Sequence, residues 1–298
     1  MTDARFESGA PAYAAYLQTA EGRLRLDIAW ENFLSAIDEA NEARPRSVAP
    51  STAMPDAETK LDGAEATTHD GAGETASGGA GEVKRVLDLG GGTGALALRF
   101  AAHGWHASVV DPSATMLALA ADAARAGTLD ARLTFHQSAA ENAHELFAPQ
   151  TFDAAVCHNV LEYVSDPHAS VRALAMLVKP GGLVSLVARN RAGEAMRAAL
   201  KAHDLDEAER ALTAMQVNES LYGGPARLYD ARTLSGLATG AGLSVFAERG
   251  VRVVADYLPA SLSDTPETYA RLLSFERTLG ARPDFAAVAR YTQIIARV

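Results

Sequence analysis

Between residues 84 and 188, short apolar runs alternate with longer stretches whose apolar residues recur at helical spacing. Strands are predicted over 86–88, 108–110, 132–136, 152–158 and 183–188, with helices over 95–103, 114–126 and about 168–178 and a turn at 179–182. This alternation of strand and helix predicts a parallel, doubly wound sheet. Upstream, Leu24, Ile28, Phe33, Leu34 and Ile37, with Trp30 beside them, predict an amphipathic helix over 21–41. Downstream, a long helical stretch is predicted over 191–217 and a second helix over 231–241. Apolar runs at 243–246 and 250–254 and a closing strand over 292–298 complete the pattern.

Between residues 45 and 82 the periodicity disappears. Ala, Gly, Thr, Ser, Glu and Asp dominate there and aromatic residues vanish. Such a composition buries too little apolar surface to offset the entropy of ordering, so a disordered low-complexity insertion is predicted. The expected organisation is an N-terminal helical flap over 1–44, the insertion over 45–82, and one α/β domain over 83–298.

Composition adds little to the fold but restricts the setting. Of the formal net charge of −10, most lies upstream of residue 83, where 15 acids face 6 bases. The remainder is near neutral, so the acidity argues only weakly against a nucleic-acid substrate. Cys157 is the sole cysteine and excludes an internal disulfide. No basic region followed by an apolar run marks a signal peptide, and no stretch approaches the roughly 20 apolar residues of a membrane span. A cytoplasmic location is the expectation.

The chemistry begins at 88–94, Asp-Leu-Gly-Gly-Gly-Thr-Gly. Glycines there let the backbone turn tightly after a strand and approach a ligand, while the following helix points its N-terminal amides at it. Alone, the turn also satisfies a G-x-G-x-x-A dinucleotide pattern through Gly90, Gly92 and Ala95. Asp111 closes the second strand, where an acid accepts hydrogen bonds from ribose hydroxyls; this fits NAD and adenosyl cofactors equally.

Downstream residues separate the two. Lys179-Pro180-Gly181-Gly182 before an apolar strand, and Ser138-Ala139-Ala140-Glu141 after the third strand, resemble class I S-adenosylmethionine-dependent methyltransferases. The stretch from His158 through Glu162 and Tyr163 to Pro167 narrows the resemblance. So do Glu21 to Trp30, Gly250 to Leu258, and Ala289-Arg290-Tyr291. Together these resemble the tRNA 5-carboxymethoxyuridine methyltransferase family. That resemblance implies a Rossmann-like, mostly parallel sheet with N-terminal helices and a helical insertion after the fifth strand. It implies S-adenosyl-L-methionine as cofactor, the tRNA anticodon loop as partner, and methylation of the 5-carboxymethoxyuridine carboxylate at the wobble position. A small-molecule carboxyl- or other O/N-methyltransferase of the same fold is the alternative.

Carried onto this chain, the resemblance gives Arg25 the cofactor's carboxylate. It assigns Gly90 and Gly91 to the methionine part, Asp111 to the ribose, and Ala140 with Glu141 to the adenine, with Asp88 and Gly92 as further cofactor-binding residues. His158 would lie beside the sulfonium. A carboxylate acceptor is ionised near neutral pH, with a pKa of about 4, so no general base is expected. Cations are needed to hold it. Arg189, after the fifth strand, and Arg252 are the leading candidates, with Glu162 and Tyr163 as further positioning residues. Arg191, Arg197, Lys201 and Arg227 are weaker candidates, and Arg197 and Lys201 read as solvated surface charges. The eight histidines are dispersed and no metal site is expected.

Overall fold

In the computed structural model, residues 4–42, 83–219 and 221–298 are described. The predicted insertion at 45–82 lies outside them. Two helices lead the chain, α1 (Ala4–Gln18) and α2 (Ala20–Glu42). The first three strand–helix units are β1 (Arg85–Leu89), α3 (Ala95–Ala102), β2 (His106–Asp111), α4 (Ala114–Ala126) and β3 (Leu133–Gln137). They continue with β4 (Phe152–His158), α5 (Pro167–Leu177) and β5 (Val178–Arg189). Then come α6 (Arg191–Leu200), α7 (Leu205–Thr213) and the short strands β6 (Gln216–Asn218) and β7 (Pro225–Arg227). The chain continues through α8 (Ala231–Gly240), β8 (Ser244–Val251), α9 (Pro266–Gly280), α10 (Pro283–Ala286) and β9 (Tyr291–Arg297).

The main sheet has seven strands in the order β3-β2-β1-β4-β5-β9-β8. The pairs from β3 to β5 are parallel, and β9 runs antiparallel to both β5 and β8. The sheet is therefore mostly parallel and Rossmann-like. Its central strands bury both faces, as their near-continuous apolar runs require. On one face α2 packs Trp30, Phe33 and Ile37 against Phe100 of α3 and against β1, β2 and β4. On the other, Leu174 and Leu177 of α5 and Leu234 and Leu237 of α8 pack against β1, β4 and β5.

Helix starts follow local capping chemistry. Ser113 accepts from the Met116 amide to start α4, and Asp166 accepts from the Ala169 amide just before Pro167 starts α5. The single helix expected over 191–217 is two. Asp204 caps a new helix by accepting from the Glu207 amide at 2.8 Å, and His203 takes a left-handed backbone at φ +56° just before it. The residues after α7 form β6 rather than a further helical turn. The turn expected at 179–182 lies within β5 as a bulge. Phe152 pairs with Val178, but Ala154 already pairs with Leu183. The apolar runs at 243–246 and 250–254 merge largely into one strand, β8. Helices α9 and α10 were not anticipated by the pattern, whereas α1 falls within the helical flap expected over 1–44. At one crossing α9 needs a glycine: a Cβ on Gly280 would lie 2.2 Å from the Gly250 carbonyl oxygen. Among the described residues no helix is long and apolar enough to cross a membrane.

Candidate active site

The carboxyl ends of the parallel strands open on a cavity of 720 Å³, where ligands of doubly wound folds bind. Gly90 turns the chain out of β1 at φ +69°, and a Cβ there would lie 2.3 Å from a methyl of Val160. The amides of Gly90 and Gly91 donate to the Val110 carbonyl at 2.7 and 3.3 Å, tying the turn to β2. Asp111, the last residue of β2, accepts from the Gly92 amide at 2.9 Å through one oxygen and from the Ser113 amide at 2.9 Å through the other. Burial outweighs these bonds and raises its pKa to about 6.

Gly90, Gly92 and Asp111 line this cavity, as do Ala140, Glu141, His158, Tyr163, Arg25, Arg189 and Arg252. Asp88 and Gly91 do not. They line a 30 Å³ cleft behind the turn, which shares Gly90, Arg25 and His158 with the main cavity. The Asp88 carboxylate faces inward and accepts from the Ala97 amide at 3.2 Å, holding the first turn of α3; burial pushes its pKa up to about 7. Glu162 also departs from its expected place. It is absent from the cavity lining and lies under the wall, accepting from Asn159 Nδ2 at 3.0 Å and from the Arg189 amide at 2.9 Å. Its position supports Asn159 and Arg189 from behind.

Arg25, 6% exposed on α2, donates to Asn159 Oδ1 and to the Tyr13 hydroxyl, the latter at 3.0 Å. Its Nε has no partner, and among the described residues it makes no ion pair. A buried guanidinium bonded only to neutral groups is costly unless a ligand supplies the anion. Asn159 adopts φ +57°, a left-handed backbone that asparagine tolerates better than most residues. His158, the last residue of β4, shares a 2.8 Å hydrogen bond with Ser185 Oγ. Burial, then the charge of Arg25, drives its pKa down to about 3, so the imidazole is neutral. Glu141 accepts from Ser165 N, Ser165 Oγ and Asp166 N at 2.9, 2.7 and 3.1 Å, pinning the loop before α5 to the cavity rim. Tyr163 meets Phe6 and Tyr222 edge-on, with centroids 5.3 and 5.9 Å away.

Beyond these residues the cavity floor is a continuous ion-pair network. Arg189 pairs with Glu219 at 3.5 Å and Glu194 at 3.0 Å. Glu194 also pairs with Arg290 at 2.5 Å and Arg197 at 3.3 Å. Arg290 continues to Asp256 at 3.7 Å, and Asp256 pairs with Arg252. Arg252 reaches Glu21 at 4.0 Å, which pairs with Lys201 at 2.8 Å. Five bases thus meet four acids among the described residues, leaving one positive charge in excess.

Several further groups join the candidates, of which only Arg290 and Tyr291 figured in the sequence motifs, as part of the resemblance. Tyr13 and Tyr16 reach the cavity from α1, and Glu219, Tyr222, Arg290 and Tyr291 complete its far side. The two α1 tyrosines stand three residues apart and so share a helix face, a signal present in the sequence. Arg197 and Lys201, expected to be solvated, line the cavity at 36% and 45% side-chain exposure. Arg191 and Arg227 instead bond backbone carbonyls, of Ala214 and Val164. No cluster of metal-ligating side chains occurs among the described residues.

The strand order, the glycine turn with Asp111 and the cavity above them define a class I S-adenosylmethionine-dependent methyltransferase. A family model described as Methyltransferase domain matches residues 67–248, and the chain belongs to that family. Among curated relatives, the tRNA 5-carboxymethoxyuridine methyltransferase of Escherichia coli K12 is 30% identical over 217 residues, covering 72% of this chain and 79% of that protein. A ubiquinone biosynthesis O-methyltransferase of Sodalis glossinidius is 40% identical over 109 residues, covering 36% of this chain and 42% of that protein. Among solved structures, an S-adenosylmethionine dependent methyltransferase from Mesorhizobium loti is 18% identical with a TM-score of 0.48, covering 72% of this chain and 91% of that one.

Proposed function

We propose that this enzyme methylates the carboxylate of 5-carboxymethoxyuridine at the tRNA wobble position, in the cytoplasm, giving the methyl ester. The observation that carries the reading is the arginine floor. One positive charge exceeds the acids of the network, and Arg25 stands outside it with no acid partner. Two anionic groups in the cavity would balance them, one from the cofactor and one from the acceptor. The relative that covers most of the chain carries the name of this activity, whereas the ubiquinone-pathway relative matches about a third of it.

The residues present fit S-adenosylmethionine, which supplies the methyl group when bound. Arg25 would hold its carboxylate, and Gly90, which lines the cavity, would border the methionine chain. Asp111 retains free lone pairs beyond its two amide bonds, enough for ribose hydroxyls. Ala140 and Glu141 would border the adenine. Arg189 and Arg252 would grip the acceptor carboxylate, and Tyr163 with Phe6 and Tyr222 offers an aromatic wall for a pyrimidine ring. The acceptor arrives ionised, so the chain's task is alignment and exclusion of water. Neutral His158 closes the wall beside Arg25 without moving a proton.

The test is nucleoside mass spectrometry of tRNA from a strain lacking this chain. Accumulation of 5-carboxymethoxyuridine at the expense of its ester is the expected result, and an unchanged ratio overturns it. Purified enzyme that methylates metabolite extracts but never tRNA would establish a small-molecule acceptor instead.

A further inference from the structure

Tyr291 opens β9 with its buried ring at the centre of the arginine floor. The guanidinium carbons of Arg25, Arg189, Arg252 and Arg290 lie 5.8, 6.0, 6.0 and 5.8 Å from the ring centroid. From α1, the Tyr16 hydroxyl accepts from Arg252 Nη1 at 3.1 Å, close to Tyr291. Burial, then the neighbouring Tyr291, pushes the Tyr16 pKa up to about 12. Among the described residues no oxygen accepts the proton of Tyr291, whose side chain lines the cavity.

We propose that Tyr291, ringed by four guanidiniums on the cavity wall, is an acceptor-binding residue whose hydroxyl donates a hydrogen bond to the anionic oxygen of the acceptor. The proposal rests on the carboxylate reading above and deepens it, because it names the group that distinguishes a charged acceptor from a neutral one. The four guanidiniums around the ring and the Tyr291 hydroxyl are donors, which an anionic oxygen would satisfy. Burial disfavours the phenolate, yet the guanidiniums of Arg189, Arg290, Arg252 and Arg25 bring the Tyr291 pKa below that of a free phenol. A more acidic phenol is a stronger hydrogen-bond donor to an anion. Helix α1 reaches the acceptor site through Tyr16, which accepts from Arg252 and lines the cavity.

The test uses Tyr291→Phe, which keeps the ring and its guanidinium neighbours and removes only the hydroxyl. The substrate is tRNA purified from a strain lacking the enzyme. Loss of a hydrogen bond to a charged oxygen predicts a rise in acceptor KM of roughly 10-fold or more. The Kd of S-adenosylmethionine, measured by calorimetry, should change by less than about twofold, since the cofactor's carboxylate is assigned to Arg25. Tyr16→Phe, which removes the hydroxyl that accepts from Arg252, should raise KM by a smaller factor. Wild-type enzyme that leaves this tRNA unmethylated overturns the carboxylate reading together with this one. Active wild type with an unchanged KM in Tyr291→Phe overturns the role of Tyr291 alone. A parallel rise in cofactor Kd and acceptor KM also overturns it, by making Tyr291 a general support of the cavity.

Discussion

The carboxylate of Glu276 fixes the backbone that presents Arg252. From α9 it accepts from the amides of Val253, Val254 and Ala255 at 2.6, 2.9 and 2.6 Å. Arg252 itself adopts φ +61°, a left-handed conformation that long side chains rarely take and that surrounding bonds must impose. Three consecutive amides on one carboxylate supply those bonds, and the same loop carries Asp256 to the Arg252 and Arg290 side chains. Glu276 is a positioning residue, since it acts on the acceptor site through Arg252.

Replacing Glu276 by Gln retains one carbonyl acceptor and turns an amide group toward backbone donors. A loss of about 2–3 kcal/mol of stability is expected, the scale of charge-assisted bonds left unmade. Urea unfolding measures that loss. At a temperature where the variant stays folded, acceptor KM should rise more than cofactor Kd. Equal stability in the variant would mean that water replaces the carboxylate at those amides.

Cofactor affinity should depend on the ionisation of Asp111. Its pKa stands at about 6, and ribose hydroxyls require the carboxylate as acceptor. The Kd of S-adenosylmethionine should therefore rise as the pH falls through 6, and level off above 7. Calorimetry at several pH values gives the curve. Asp111→Asn should bind more weakly at pH 8 and lose most of the pH dependence; a variant retaining the wild-type slope would move the effect to another group.

The strands and the glycine turn were legible because their causes are local. Apolar runs, glycines and caps of β1 to β5 and α3 to α5 lie next to each other in sequence, and their bounds fall within a few residues of expectation. The acceptor end was only half legible for the opposite reason. Tyr16, Glu276 and Tyr291 meet Arg252 from α1, α9 and β9, and no local period links them. Helix α1 carries Pro11 within an alanine-rich run, and α9 buries Leu272, Glu276 and Leu279 among charged neighbours, so neither presents a clean apolar stripe. Arg197 and Lys201 are spaced like solvent-facing charges. The pairing of Lys201 with Glu21 on α2 is what brings that end of α6 to the cavity.

Asp88 gives the fold a pH dependence of predictable sign. Burial raises its pKa from 3.8 to about 7 in the folded protein. A carboxyl group raised in this way contributes stability that is fully present below pH 4 and is lost as the pH rises through 7. The contribution is on the order of 4 kcal/mol across that window. Asp88→Asn carries no proton to lose. Its melting temperature relative to wild type should climb steadily between pH 4.5 and 7.5, read by differential scanning calorimetry. A constant difference across the range would show that Asp88 is ionised in the fold throughout.

His158 provides the sharpest separation between alignment and acid–base catalysis. With a pKa of about 3 it is neutral across the working range, and its Nε2 is engaged by Ser185 Oγ. A general base at this position would need a pKa near the working pH, where it would leave an acid limb in kcat, and its removal would typically cost about 10²–10⁴-fold. A carboxylate acceptor needs neither, because it is deprotonated before it arrives. At saturating cofactor, kcat should be flat between pH 6 and 8. His158→Asn, which keeps a polar group toward Ser185, should lower kcat by roughly 10-fold at most and leave the profile flat. A thousand-fold loss, or an acid limb that disappears in the variant, would instead assign proton transfer to His158. The acceptor would then carry a hydroxyl or an amine, and the carboxylate assignment would fall with the flat profile.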